Sequence, residues 1–317
     1  MSLLSQAKPR RGTAFRPSRN SRRAGTGRLA AALLSPSLIV LGLVVGYPVL
    51  AACRLSFVVS NETIDPQTGF KVTATSYGLD NYAAVFTGDR FLRPWWNTTS
   101  FALASVAVEV LIGVAMALVM HQAFRGRALV RAAILVPWAI PTAISGLLWK
   151  WIFNSQGVAN ELLGARVLWS SEGFQAWLSV VIADTWKTAP FIGLLVLAGL
   201  QIIPGELYEA ARVDGASTWY AFRRITLPLV RPALVVAVLF RLLDVLRMFD
   251  LPYVLVGPRK HSVETLSMIA FEEMSNLRFG TAAAYATVLF LYIAAVAFAF
   301  VKLFGADLIG RGTRSSP

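Results

Sequence analysis

ELYEAARVDGASTWYAFRRITLPLVRP, residues 206–232, is the longest amphiphilic interruption in a chain otherwise made mostly of apolar runs. Residues 206–213 are good helix formers, with Leu207, Ala210 and Ala211 at helical spacing. Gly215 is placed to take the left-handed conformation that ends a helix, which a residue without a Cβ enters at no steric cost. Ser217 is an N-cap candidate for a second short helix carrying Trp219 and Phe222 on one side. Pro228 and Pro232 are expected to end the segment, because proline interrupts a helix and biases the residue before it away from helix. The segment reads as helix, glycine turn, helix. Two uses fit these residues equally well. The small face at Ala210 and Ala211, with Glu209 beside it, suits close docking of a partner, and Arg223, Arg224 and Arg231 suit a loop lying on a lipid surface.

Outward from this segment the chain is apolar. It has 317 residues, of which 56% are hydrophobic, and a mean hydropathy of +0.59, more than a soluble domain of this size requires. Six runs are each long enough to cross a bilayer, which takes roughly 20 helical residues: 29–52, 100–120, 128–151, 176–203, 233–256 and 281–301. They lack the alternation of barrel strands, and unpaired backbone is not tolerated in lipid, so an all-α integral membrane protein is expected. Gly42 and Gly46 form a small-xxx-small pair in the first run. Pro137 and Pro141 are expected to kink the third.

The net charge of +13 is unevenly placed, which argues against nucleic acid as a partner. Eight basic residues precede the first run, three lie between the second and third, four lie in the 206–232 segment and three follow the last run, against only nine on the opposite side. By the positive-inside rule both termini and the 206–232 segment are cytoplasmic. Residues 1–28, rich in Arg, Ser, Gly and Pro, read as a disordered basic tail that touches lipid, and 304–317 as a second cytoplasmic tail. Leu50-Ala51-Ala52-Cys53 imitates a lipoprotein cleavage box, but the preceding apolar run is too long for a signal-peptide core. Cys53 is the only cysteine, which excludes an intrachain disulfide.

The order Glu209-Ala210-Ala211, Asp214-Gly215-Ala216, Phe222, Ile225, Leu227-Pro228 and Pro232 resembles the EAA loop of binding-protein-dependent ABC importer permeases. The likeness extends to Ser35-Pro36, Tyr47-Pro48 and Leu55-Ser56-Phe57, to Trp186, Pro190-Phe191 and Leu197 to Pro204, and to Phe249-Asp250, Tyr253 to Leu255, Gly257-Pro258 and Thr265-Leu266. The last group resembles the carbohydrate-specific, maltose- and trehalose-type members. The resemblance implies the six-helix type I importer permease fold over 29–303, with a cytoplasmic coupling helix in the loop 204–232. It implies that Glu209, Ala210, Ala211, Asp214, Gly215 and Ala216 face a cytoplasmic ATPase. Two departures stand out: the loop after the first run is too short for a large inserted domain, and the family's Gly-Gly-Pro is reduced to Gly257-Pro258.

No GxxxxGK[ST] phosphate loop is present, so ATP hydrolysis falls to another subunit. His121 and His261 lie in different loops, no paired acids suggest a catalytic centre, and neither metal nor cofactor is expected. Ionisable residues inside membrane spans are costly and therefore informative. Arg241, Asp244, Arg247 and Asp250 alternate in sign every third residue in the fifth run, Asp184 and Lys187 repeat that spacing in the fourth, and Glu109 stands alone in the second. One reading is a substrate path formed by Asp184, Asp244, Arg247 and Asp250, with Trp138 and Trp186 as flat faces for sugar rings. The other is a set of internal salt bridges that hold the spans together. The function expected is import of a sugar, a disaccharide such as trehalose or maltose, by ATP-driven alternating access. The partners implied are a second, different permease subunit, two cytoplasmic ATPase subunits, an extracytoplasmic sugar-binding protein and the lipid bilayer. Rival classes are an ion-coupled secondary sugar transporter, which needs inverted repeats, and a membrane-embedded glycosyltransferase, which needs acids gathered at the interface.

Overall fold

The computed structural model describes residues 19–64 and 71–305, with side chains described at 30–60 and 75–305. The chain divides into two units, Met1–Ala51 and Ala52–Pro317. In the first, α1 (Arg19–Leu41) passes through a π-turn at Gly42–Gly46 into α2 (Tyr47–Leu55), whose residues from Ala52 on are counted with the second. Helix α1 begins inside the basic stretch expected to be irregular. Arg and Ala are strong helix formers, and a helix already nucleated by an apolar span extends at little cost. The expectations for 1–18 and 306–317 lie outside the described residues.

The second unit opens on an antiparallel hairpin, β1 (Val58–Ile64) and β2 (Lys71–Tyr77), in register from Val58↔Tyr77 to Ile64↔Lys71. This hairpin lies where a polar loop was expected. Helices α3 (Asp80–Thr87), α4 (Leu92–His121), α5 (Arg127–Ala139), α6 (Thr142–Ile152), α7 (Val158–Leu163) and α8 (Phe174–Leu200) follow. Then come α9 (Glu206–Val213), α10 (Thr218–Ala221), a π-turn at Phe222–Thr226, α11 (Leu227–Val245), α12 (Asp250–Leu255), α13 (Leu266–Ser275) and α14 (Phe279–Phe304).

Among the described residues five helical runs are long and apolar enough to cross a membrane: Ala30–Leu55, Leu92–His121, Phe174–Leu200, Thr218–Val245 and Phe279–Phe304. The third expected span is instead two half-helices, Arg127–Ala139 and Thr142–Ile152, bent by 98°. The kink expected from two prolines is thus a full break at one of them. Pro137 is accommodated inside α5, while Pro141, extended at φ −54° and ψ 139°, separates the halves.

The fifth span differs most from expectation. Pro228 and Pro232 do not end the preceding segment; the helical run begins at Thr218, continues through both prolines and stops at Val245. The π-turn explains the tolerance of Pro228. In an α-helix the ring of Pro228 would press on the carbonyl of Arg224, four residues back. Here Leu227 N–H reaches the carbonyl of Phe222, and this widened turn makes room for the ring. The first span repeats the device: Tyr47 N–H bonds Gly42 O, and Pro48 follows. Gly42 and Gly46 are therefore the ends of a π-turn.

Helices α4 and α8 form the spine of the second unit. A Cβ on Gly113 would sit 2.8 Å from Ile192 Cβ, so the helices cross closely next to Glu109 and Thr188. Helix α11 joins through Gly199, whose added Cβ would fall 2.7 Å from the Ala233 side chain. Phe101, Val106, Val180 and Val245 share one buried cluster, and Met120, Ile192, Val196 and Val230 another. Large apolar side chains point outward from the spans, Leu111 at 73% exposure and Phe298 at 72%, as lipid or a membrane partner requires.

Candidate functional site

The buried centre of the unit is Arg241 on α11. Its Nε donates to Glu109 Oε2 at 2.6 Å and one terminal nitrogen to Glu109 Oε1 at 3.1 Å. That nitrogen also donates to Asp184, and the other donates to Asp244 Oδ2 at 2.8 Å. The Thr188 hydroxyl lies 2.6 Å from Glu109 Oε1 and 2.6 Å from the Asp184 carbonyl. Glu109, the lone ionisable residue of 100–120, finds its partner in another span; its fork-to-fork pairing with Arg241 ties α4 to α11. Arginine suits this position because its planar guanidinium serves three carboxylates at once. The buried Lys187 adds a cation, so Arg241, Arg247 and Lys187 balance Glu109, Asp184 and Asp244.

Exposure divides this network in two. The side chains of Glu109, Arg241 and Asp184 are 0%, 3% and 7% exposed, whereas Asp244 and Arg247 are 52% and 71% exposed. The first three hold the helices together. The Asp244–Arg247 pair, at 3.1 Å, faces two adjoining cavities. One, of about 240 Å³, is lined by Trp138, Thr188, Phe191 and Phe240; the other, of about 300 Å³, by Thr142, Asp184, Lys187 and Asp250. The buried three make the internal salt bridges of one reading, and the exposed pair lines the cavities that the other would need. Asp250 does not continue the i,i+3 stripe, because α11 stops at Val245 and Asp250 starts α12, but the larger cavity brings it back beside the others. Trp138 stacks on Phe191 at 5.7 Å, while Trp186 meets Trp149 edge-on and lines neither cavity. Thr188 was not singled out from sequence, and Lys187 and Phe191 were noted there without a place in the path, although they lie one helical turn from Asp184 and Thr188 on α8.

The amphiphilic segment folds as its residues dictate. Gly215 takes φ +75°, Gly215 N–H bonds Arg212 O at 3.1 Å and Ala216 N–H bonds Ala211 O at 2.9 Å, a Schellman closure of α9. Ser217 Oγ accepts from Tyr220 N–H at 3.2 Å, and Trp219 stacks on Phe222. Glu209, Ala210, Asp214 and Gly215 are exposed, with Ala211 and Ala216 half-buried. Between α9 and the π-turn, Tyr208 Oη lies 3.0 Å from the buried Thr226 Oγ1.

A second ionic cluster lies outside the spans. Arg90 donates to Glu264 at 2.7 Å and Glu272 at 2.8 Å, and Arg259, held at φ 56°, donates to Glu272 at 2.9 Å. The hydrogen bond from Arg90, with Arg259 behind it, holds the Glu272 carboxyl below its usual range. Its contribution to stability is therefore complete above the ordinary carboxyl pKa and is lost as pH falls through the depressed native value. Glu272→Gln is expected to cost about 1–2 kcal/mol at pH 7 and to flatten the acid limb of stability. Thermal unfolding of the purified complex between pH 7 and pH 3 checks this, and an unchanged acid limb contradicts it.

Long apolar helices, a helix–turn–helix knob between two of them and a charge-lined cavity describe a polytopic membrane protein, and its relatives give it the type I ABC importer permease fold. The chain belongs to the family described as binding-protein-dependent transport system inner membrane component, whose sequence profile matches residues 109–310. The trehalose transport system permease protein SugA of Mycobacterium tuberculosis is 36% identical over 299 residues, 92% of this chain and 94% of that protein. The trehalose/maltose transport system permease protein MalF of Thermococcus litoralis is 39% identical over 232 residues, 71% of this chain and 79% of that protein. A crystal structure of a bacterial alginate ABC transporter, in complex with alginate pentasaccharide-bound periplasmic protein, superposes with a TM-score of 0.73 at 22% identity, over 95% of this chain and 100% of the other.

Proposed function

We propose that the chain is one transmembrane half of an ATP-driven sugar importer, with a disaccharide of the trehalose or maltose type as its cargo. The observation that carries this reading is the exposed Asp244–Arg247 pair, held by a buried, charge-balanced anchor and facing cavities that also display Trp138, Asp250 and Lys187. Sugar hydroxyls both donate and accept. Asp244 and Asp250 accept from them, Arg247 and Lys187 donate to them, and the Trp138–Phe191 stack offers the apolar face that a pyranose ring needs. The names of the two relatives support the sugar class.

In this reading the cargo arrives on an extracytoplasmic binding protein, and a second, different permease completes the path. One of two cytoplasmic ATPase subunits engages the knob formed by Glu209, Ala210, Ala211, Asp214, Gly215 and Ala216. ATP closes the ATPases, the knob moves, and the spans reorient. The asymmetry of basic residues supports a cytoplasmic knob and cytoplasmic termini. An impermeant maleimide should therefore label Thr218→Cys, in a Cys53-free background, only from the cytoplasmic side; labelling from outside reverses the orientation.

The path is tested by Asp244→Asn with Arg247→Gln, a neutral exchange at exposed positions. Uptake of radiolabelled trehalose is expected to fall at least tenfold while all subunits still co-purify. Undiminished uptake of both trehalose and maltose would remove these residues from the path.

A further inference from the structure

We infer that the hydrogen bond between Tyr208 and Thr226 is a latch that passes movement of the docking helix α9 directly into the fifth span. The inference rests on the importer reading above, in which α9 is the part the ATPase moves. Helix α9 contains no buried residues, so packing alone gives it little hold on the membrane domain. Along the backbone it reaches the helical run Thr218–Val245, which contains α11, only through the turn at Gly215, in the left-handed region at φ +75°. A displacement of α9 sent along that route would be dissipated as rotation at this turn.

The side-chain route avoids that turn. Tyr208 Oη lies 3.0 Å from Thr226 Oγ1, eighteen residues further along the chain. Thr226 is 6% exposed and is the last residue of the π-turn, immediately before α11 begins at Leu227. From there an unbroken helix runs to Arg241, about 22 Å at 1.5 Å per residue. Arg241 grips Glu109 on α4 and Asp184 on α8. Force applied at Tyr208 therefore enters the rigid part of α11, whose far end carries Asp244 and faces the cavities. Tyr208 and Thr226 are positioning residues in this scheme and touch neither cargo nor ATPase.

The test uses the complete complex in proteoliposomes, with trehalose as the transported probe and ATP hydrolysed per trehalose imported as the readout. Tyr208→Phe and Thr226→Val each delete one hydroxyl and leave the shape nearly unchanged. Each is expected to raise that ratio at least fivefold while the ATPase still co-purifies. The double variant is expected to be no worse than either single one, because both remove the same bond. Thr226→Ser, which keeps the hydroxyl, is expected to restore the wild-type ratio.

A second readout is independent of cargo. Spin labels on Val213→Cys and Val236→Cys, in a Cys53→Ser background, are expected to keep one narrow distance distribution with and without ATP, and Tyr208→Phe is expected to broaden it. A wild-type ratio with a narrow distribution in both single variants overturns the latch. So does a Thr226→Ser variant that behaves like Thr226→Val, or loss of the ATPase from both single variants. A wild-type complex that moves neither trehalose nor maltose on ATP would instead reject the sugar-importer reading, and the label distances would still decide the latch.

Discussion

Gly215→Val combined with Glu209→Lys is expected to leave membrane insertion and sugar binding by the external protein unchanged while lowering uptake by more than tenfold. At φ +75° a Cβ is disfavoured by about 1–2 kcal/mol, and a β-branched residue is a conformational outlier there. Val at this position must either strain the backbone or give up the Gly215–Arg212 and Ala216–Ala211 bonds that close α9. The added Cβ meets no neighbour within 4 Å, so the defect is one of backbone shape at an exposed knob, not of core packing. Glu209 is exposed with no ion-pair partner among the described residues, so reversing its charge removes no internal contact. Its effect falls on whatever docks there, where juxtaposed like charges cost affinity and register. Co-purification of the ATPase and its stimulation by loaded binding protein should both be lost. Wild-type values of both would mean that this knob is not the docking element.

Arg241→Met is expected to fail at an earlier stage. The substitution leaves Glu109 and Asp184 buried without their cation, and breaking one partner out of a buried ionic network costs about 3–5 kcal/mol. The yield of assembled complex should therefore drop before any transport assay becomes informative. Adding Glu109→Gln and Asp184→Asn to Arg241→Met removes the stranded charges and should recover much of that yield, without recovering transport. A stable Arg241→Met complex would show that these carboxylates are neutral or hydrated, and that Arg241 is not the tie between α4, α8 and α11.

Much of this was legible in the sequence because the deciding physics is local. Gly215 and Ser217 fix the knob through backbone conformation and capping, which depend on neighbours a few residues away. The spans follow from the length of apolar runs. What escaped needed either distance or compensation. Glu109 and Arg241 are separated by 132 residues, and nothing in the chain between them announces the pairing, although an acid and an arginine each stranded in a span are natural partners. Pro228 was read as a stop because proline breaks an α-helix; the compensating π-turn is a geometric accommodation without a residue signature of its own. The hairpin Val58–Ile64 with Lys71–Tyr77 was hidden by its polarity. Its Thr, Val and Tyr content, on either side of Asp65-Pro66 and Gly69, was the available sign. The break at Pro141 was visible as a proline but not as a bend of 98°, since its angle is set by what the two halves pack against.

The central claim is that this chain forms a sugar path driven by a partner's ATP hydrolysis. Its most direct test is trehalose uptake into proteoliposomes holding this chain, its partner permease and the ATPase, with binding protein supplied outside and ATP sealed within. The account predicts uptake that requires hydrolysable ATP and loaded binding protein, and that is abolished when the ATPase is catalytically inactivated. Uptake that persists without the ATPase and follows an imposed proton gradient would contradict it.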